Sequence, residues 1–439
     1  MFAYYLRLAL LSLRRNRVLT ALMIAAIALG IGAAMTSLTV LHLMSGNPLQ
    51  HKDAQVRRVQ LDNWGPGGPW SSRYPEEPPN LMTYQDVQAL LAADRADHHA
   101  ALFPQNLPIE PGRADLQPFT GSVLMTTRGF FPIFEPPFRF GSGWGEREDA
   151  AAARVVVLSA GINDRIFGGE DSTGRTLRMG GEDYTVVGVL EQWNPVPRSY
   201  HIAGGAFSEP EDVYVPFRVG IEKELTSASN NNCWDNAGPG YQAWLQSECI
   251  WLDLWVQVAD AQAAQDYLAF LDDYVREQKA LGRFERPLNN RLRTVSEFLA
   301  SQRVVSRDAR TQVWLAFAFL LVCLINTVGL LLAKFLGKAP EIGLRRAVGA
   351  SKPQIFSQYL TEAGIVGVMG GLFGILLAWG GLAALRVLYR GTATESLARM
   401  DWEMIALTVL ISLAASLLAG VYPTWRACQI APATQLKTQ

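Results

Sequence analysis

Four cysteines among 439 residues are too few for a disulfide framework, which excludes the small secreted scaffolds that depend on cross-links. Histidine is almost as scarce: His42, His51, His98, His99 and His201 show no ligand spacing with one another or with cysteine. The adjacent His98–His99 reads as a solvated pair, and no metal site is expected. The only Gly-Lys pair, Gly337-Lys338, is followed by Ala339 and not by Ser or Thr. The chain thus lacks the loop whose amides and lysine hold the phosphates of ATP. Ser159 lacks the paired glycines of a nucleophile elbow, and no spacing joins two carboxylates for acid–base work. The sequence therefore names no catalytic residue and no cofactor bound by this chain, and a net charge of −1 gives no footing for nucleic acid.

Apolar residues are plentiful, 49% of the chain, and they gather into four runs long enough to cross a bilayer: 18–44, 312–336, 359–388 and 403–425. The first is too long for the apolar core of a cleaved leader and no small-residue cleavage site follows it, so it reads as a retained helix. Ahead of it, residues 1–17 place Phe2, Tyr5, Leu6, Ala9, Leu10 and Leu13 on one stripe and Arg7, Arg14, Arg15 and Arg17 elsewhere. That is an amphipathic helix suited to the membrane surface. Charge is unevenly spread: residues 45–311 hold 25 Lys and Arg against 35 Asp and Glu, leaving 14 against 5 for the remainder. Arg14, Arg15, Arg17, the basic residues of the elbow, and Arg426 with Lys437 all fall on one side. Both termini, an elbow over 337–358 and a tail over 426–439 are therefore expected in the cytoplasm, with 45–311 and a short loop over 389–402 outside the inner membrane.

The 45–311 stretch reads as a mixed α+β domain. Thr83 with Asp86 three residues on marks a helix start, the runs Arg154–Leu158 and Tyr184–Leu190 read as strands, and a helical piece ends at Phe167-Gly168-Gly169. Amphipathic helices are expected over 261–280 and 294–310, the second continuing as a stalk into the next span. Residues 227–256 carry a polar loop and Trp244, Trp251 and Trp255, an aromatic cluster that favours domain core over ligand site. Cys233 and Cys249 fall in this region, where an extracytoplasmic setting permits a bridge without requiring one. Cys323 and Cys428 read as unpaired thiols.

The elbow has its own punctuation. Pro340 suits the first turn of a helix, Gly349 the left-handed residue that ends one, and Ser351 with Gln354 forms a capping box, predicting a short helix over 340–348 and a long one from 352. In the following run, Gly367/Gly371 and Gly370/Gly374 are small-x-x-x-small pairs that let a neighbouring helix approach closely. Asn326 and Glu362 are polar residues near span ends, explained by snorkelling or by helix-to-helix hydrogen bonds.

The segment Glu341-Ile342-Gly343-Leu344-Arg345-Arg346-Ala347-Val348-Gly349-Ala350 resembles the E-I-G-x-R-x-A-x-G-A segment of the macrolide-exporter (MacB) type of ABC permease, whose superfamily includes lipoprotein-releasing permeases and the cell-division FtsX proteins. The resemblance recurs at Phe130-Phe131, Phe138–Gly141, Val155–Ser159, Ile166–Gly169, Gly174–Leu177, Tyr184–Val189 and Glu211–Pro216, and at the closing Gly420–Ala427 and Pro432–Lys437, with Ala431 where an aspartate is usual. It covers most of the chain except 45–128 and 225–290. It implies four transmembrane helices with a MacB-type periplasmic core domain inserted between the first two. It further implies an elbow that lies against a separate cytoplasmic ABC ATPase through Glu341, Ile342, Gly343, Arg345, Arg346, Val348, Gly349 and Ala350, with ATP and Mg held by that subunit. A second permease copy, as homodimer or related heterodimer, membrane lipids, a periplasmic adaptor and an outer-membrane channel are the further partners implied. The function implied is export of a peptide or amphiphilic compound; an FtsX-like signalling subunit that activates an extracytoplasmic hydrolase, a lipoprotein-releasing permease and a membrane-tethered enzyme stay open as alternatives. Because the chain begins at the membrane, the ATPase is expected on another polypeptide, and substrate specificity is expected in the divergent stretch 227–256.

Overall fold

The computed structural model describes residues 2–113, 115–388 and 402–429. The chain divides into two compact units, one of Gly46–Val304 and one of Met1–Ser45 with Val305–Gln439. In order come α1 (Phe2–Arg15) and α2 (Arg17–Ser45), then β1 (Val56–Gln60), α3 (Tyr84–Ala93), β2 (His98–Glu110), β3 (Phe119–Thr126), α4 (Phe130–Phe134), β4 (Phe138–Gly141) and α5 (Glu146–Ala150). Next are β5 (Val155–Leu158), α6 (Ala160–Phe167), β6 (Thr176–Met179), β7 (Glu182–Leu190), β8 (Val213–Pro216), α7 (Phe217–Glu222) and α8 (Tyr241–Leu245). The unit closes with β9 (Asp253–Gln257), α9 (Ala261–Ala280), β10 (Arg291–Thr294) and α10 (Val295–Ser301). The last four helices are α11 (Arg307–Leu336), α12 (Ala339–Ala347), α13 (Lys352–Leu388) and α14 (Trp402–Cys428).

The Gly46–Val304 unit is built on one mixed sheet in the order β10-β1-β9-β2-β3-β8-β5-β7-β4, with β6 beside β2 and β7. Side chains alternate across a strand, so each strand feeds two cores. Leu254 and Val256 of β9 enter one core and Trp255 the other; Val213 and Val215 flank Tyr214 of β8 in the same way. The first core is closed by Tyr267, Leu271 and Val275 of α9 with Ile162 and Ile166 of α6, the second by the phenylalanines of α4 and by Val295, Phe298 and Leu299 of α10. Each large apolar side chain buried this way is worth about 1.5–3 kcal/mol, so both faces add to stability.

Local signals act where the sequence places them. Thr83 accepts from the Asp86 amide at the start of α3, and Asp260 from the Ala263 amide at the start of α9. One expectation is corrected: the helix over 294–310 is two helices. Residue 294 is the last of β10; Thr294 then caps α10, which ends at Ser301, and Arg303 takes a left-handed φ of 51°. Ser306 opens α11 by accepting from the Ala309 amide. Two capping residues twelve apart start two separate helices, so the expected 294–310 helix does not run on into α11, and the compact Gly46–Val304 unit ends at Val304. The solvated reading of His98–His99 is corrected as well, because the His99 side chain is only 8% exposed beside its strand neighbours.

In the other unit, α2, α11, α13 and α14 are each long and apolar enough to cross a membrane. α13 packs on α2 and α14, and α11 on the same two. Residues 389–401 of the expected 389–402 loop and the tail from 430, Ala431 included, lie outside the described residues, and Trp402 opens α14.

Candidate functional site

The elbow forms as its punctuation dictates. α12 has Pro340 in its first turn and Arg345 and Arg346 in its last, which suits the helix dipole. Gly349 stands at φ 109°, a conformation closed to most side chains, and the Ser351 amide then donates to Gln354 Oε1, 3.0 Å away, to begin α13. Arg345 bridges Glu341 at 2.7 Å and donates to Gln358 Oε1 at 2.9 Å, fixing the short helix to the long one. Arg346 reaches the Cys428 carbonyl at 3.5 Å.

The two faces of α12 differ. Ile342 is 1% exposed, in the same apolar cluster as Phe335, Ile355 and Tyr359, and Gly343 is buried beside it. Leu344 and Val348 are 62% and 82% exposed. Ile342 is thereby corrected as a docking residue: six residues along a helix turn about 120° away, so Ile342 and Val348 do not share a face, whereas Leu344 and Val348, four apart, do. The outward pair lies along a groove of about 540 Å³ lined also by Tyr5, Arg345, Ala350 and Gln354. Among the elbow residues named from sequence, Glu341, Arg345, Arg346 and Ala350 are half-buried, and Val348 and Gly349 exposed.

Behind the elbow lies a buried ion cluster. Glu362 of α13 has no exposed side-chain surface, which removes snorkelling as its explanation. Its Oε1 lies 2.6 Å from Lys334 Nζ of α11, also fully buried, and accepts from Ser12 Oγ of α1 at 2.6 Å; its Oε2 lies 3.7 Å from Lys338 Nζ. Lys338 also donates to Ser12 Oγ, and Lys334 Nζ is 3.5 Å from Thr20 Oγ1 of α2. Burial pulls the Lys338 ammonium below its ordinary value, against the opposing pull of Glu362. Asn326, by contrast, faces outward.

The glycines of α13 make two contact stripes. A Cβ on Gly367 would lie 1.9 Å from Ser416 Oγ and one on Gly371 2.1 Å from Ser412 Oγ, both on α14. On Gly370 it would lie 2.6 Å from Ile27 Cγ2 and on Gly374 2.8 Å from Ile31 Cγ2, both on α2. Ser412 Oγ donates to the Gly367 carbonyl at 2.9 Å, a bond that the missing side chain makes possible.

In the Gly46–Val304 unit Cys233 and Cys249 are joined by a disulfide; Cys323 and Cys428, in the other unit, are free and buried. Trp251 and Trp255 are fully buried on opposite faces of the sheet, so the end of the 227–256 stretch, from Cys249 on, is core. Asp253 is buried between Arg58 at 2.5 Å and His201 Nδ1 at 2.6 Å. Burial pushes its carboxyl up, but the Arg58 guanidinium and the hydrogen bonds from Arg58 and His201 outweigh that and hold it below its ordinary value. Among the described residues no group of three or more His, Cys, Asp or Glu is placed to hold a metal ion.

Residues 20–270 match the model of the MacB-like periplasmic core domain, more than half of the chain, and residues 313–432 match that of the FtsX-like permease C-terminal region. The chain is a MacB/FtsX-type permease. Relatives of this permease include the pyoverdine export ATP-binding/permease protein PvdT of Pseudomonas aeruginosa, 23% identical over 97% of this chain and 57% of that protein. The macrolide export ATP-binding/permease protein MacB of Marinobacter nauticus is 22% identical over 99% of this chain and 60% of its own length. The crystal structure of the periplasmic region of MacB from Actinobacillus actinomycetemcomitans overlaps 59% of the permease and 96% of that structure at 12% identity with a TM-score of 0.37, too low to add to the assignment. The permease spans about half the length of the curated relatives it matches. Its family and the four apolar helices among the described residues make it a multi-pass membrane protein.

Proposed function

We propose that this permease works with a cytoplasmic ABC ATPase on a separate chain, passing ATP-driven motion through its elbow to an extracytoplasmic Gly46–Val304 unit and so driving export of a peptide or amphiphilic compound. Both termini and the elbow lie in the cytoplasm in this reading, a second permease copy completes the machine, and ATP and Mg stay with the partner. An adaptor and an outer-membrane channel would extend the route where the cell has an outer membrane.

The observation that carries the reading is the exposed Leu344–Val348 pair on a helix anchored from behind by Ile342 and from the side by Arg345. A rigid, apolar, arginine-flanked helix face suits burial against a partner protein better than exposure to water. Each such side chain contributes on the order of 1–3 kcal/mol when buried. Replacing Leu344 and Val348 together by Asp is therefore expected to abolish co-purification of the ATPase while membrane insertion stays normal. Full recovery of the ATPase with hydrolysis still coupled would refute docking at the elbow.

A further inference from the structure

At the end of the bundle that carries the elbow, a cleft of about 810 Å³ opens between the α1–α2 turn, the end of α11 and the start of α12. Arg15, Arg17, Lys334 and Lys338 line it, and Glu341 is the only acidic residue among the lining ones. That carboxylate is engaged by Arg345 at 2.7 Å. Within 4 Å the two lysines share one carboxylate, Glu362, at 2.6 and 3.7 Å, and the Lys334 side chain is wholly buried. Two ammonium groups against one carboxylate leave a positive excess in a place of low dielectric, where an unmatched charge is costly.

The cleft is not polar throughout. Val18, which lines it, is 77% exposed and begins an outward stripe on α2 that continues through Leu22 and Leu29, 54% and 53% exposed. Leu336 at the end of α11 is 49% exposed. Cations below an outward apolar stripe match an amphiphile with one anionic end and long hydrocarbon chains.

We propose that this cleft binds the phosphate of an anionic phospholipid, whose acyl chains lie along the Val18–Leu22–Leu29 stripe. The lipid headgroup completes the charge balance that Glu362 alone leaves open, and ties the α1–α2 turn to the root of the elbow. The site is argued without the transport reading: neither Leu344 nor Val348, the pair that carries that reading, lines it.

The test uses the full chain in neutral detergent, with retained lipid counted by native mass spectrometry after titration with phosphatidylglycerol or phosphatidylcholine. Preferential retention of phosphatidylglycerol is expected, weakened roughly fivefold by each arginine removed in Arg15→Gln/Arg17→Gln. Arg15→Gln alone serves if the double variant fails to insert. Equal retention of the two lipids, or unchanged retention of phosphatidylglycerol in the variants, overturns the proposal. Inorganic phosphate is the second probe: failure to displace the lipid at millimolar concentration supports a phospholipid ligand, and displacement with matching affinity assigns the cleft to free phosphate and overturns the lipid.

Discussion

Glu362→Gln removes the one negative charge in the cluster with little change of shape. Its carboxylate sits 2.6 Å from Lys334 Nζ, and neither side chain has exposed surface, so solvent screening does not soften the loss. At an effective dielectric of about 20, charges at this range attract by roughly 6 kcal/mol, a gain largely offset by the cost of burying both. The intact pair therefore contributes little net stability, yet breaking it leaves Lys334 buried without a partner charge, which costs about 3–5 kcal/mol. At about 3 °C per kcal/mol for a unit of this size, the expected fall in the unfolding midpoint is about 10 °C. Two features supply a readout confined to the membrane unit: Cys323 and Cys428 are free and buried there, and Cys233 and Cys249 are oxidised. A dye that fluoresces on reacting with thiols reports the opening of that unit during a thermal ramp. Adding Lys334→Met to Glu362→Gln is expected to restore more than half of the loss, because the orphaned charge goes with it. A single variant that melts within about 2 °C of the parent, or a double variant no better than the single, would refute the reasoning.

Gly367→Ala brings a methyl group to 2.0 Å from Ser416 Cβ, an atom that cannot rotate away, so a loss of about 1–3 kcal/mol in the same thiol assay is expected, with Ser416→Gly restoring most of it. Asp253 is held below its unfolded value, so its contribution is present above about pH 4 and is lost as pH falls further; the acid limb of tryptophan-monitored unfolding is expected to be shallower in Asp253→Asn, and an unchanged limb counts against the cluster. A cysteine at exposed Ser142 is expected to react with an impermeant thiol reagent in intact cells and one at exposed Ser351 only after permeabilisation; labelling of Ser351→Cys alone would invert the topology.

Signals that lie close together in the chain were legible. The bounds of α9 follow from its apolar period, α3 from Thr83, and the elbow from Pro340, Gly349 and Ser351, because each depends on residues within one or two turns. Strand β2 was obscured by Pro104 and Pro108, residues that argue against a central strand. The register shows how they fit: β9 pairs only with His98–Leu102 and β6 only with Ile109 and Glu110, so Pro104 and Pro108 face no ladder on that side. The ion cluster was out of reach for another reason. Ser12 and Glu362 are 350 residues apart, and a lysine at the end of a span or in a basic elbow is not unusual, so only the fold brings them to one carboxylate. Ile342 was misjudged because its motif gives the order of residues without the turn of the helix, and the α10–α11 break because two amphipathic stretches shared a compatible period.

α13 meets α14 through Gly367 and Gly371 and α2 through Gly370 and Gly374, while Leu372, Phe373 and Leu376 point outward. Descendants of this chain should therefore vary along α13 under two different filters. At the four glycines bulk alone is screened, so serine is refused as firmly as leucine. On the outward side polarity alone is screened, and leucine, phenylalanine and valine interchange freely. Sequence drift then collects on one side of a helix whose other sides stand still. Site-by-site substitution rates across 359–388 should rise and fall with a period of about 3.6 residues, even though the run is apolar almost throughout.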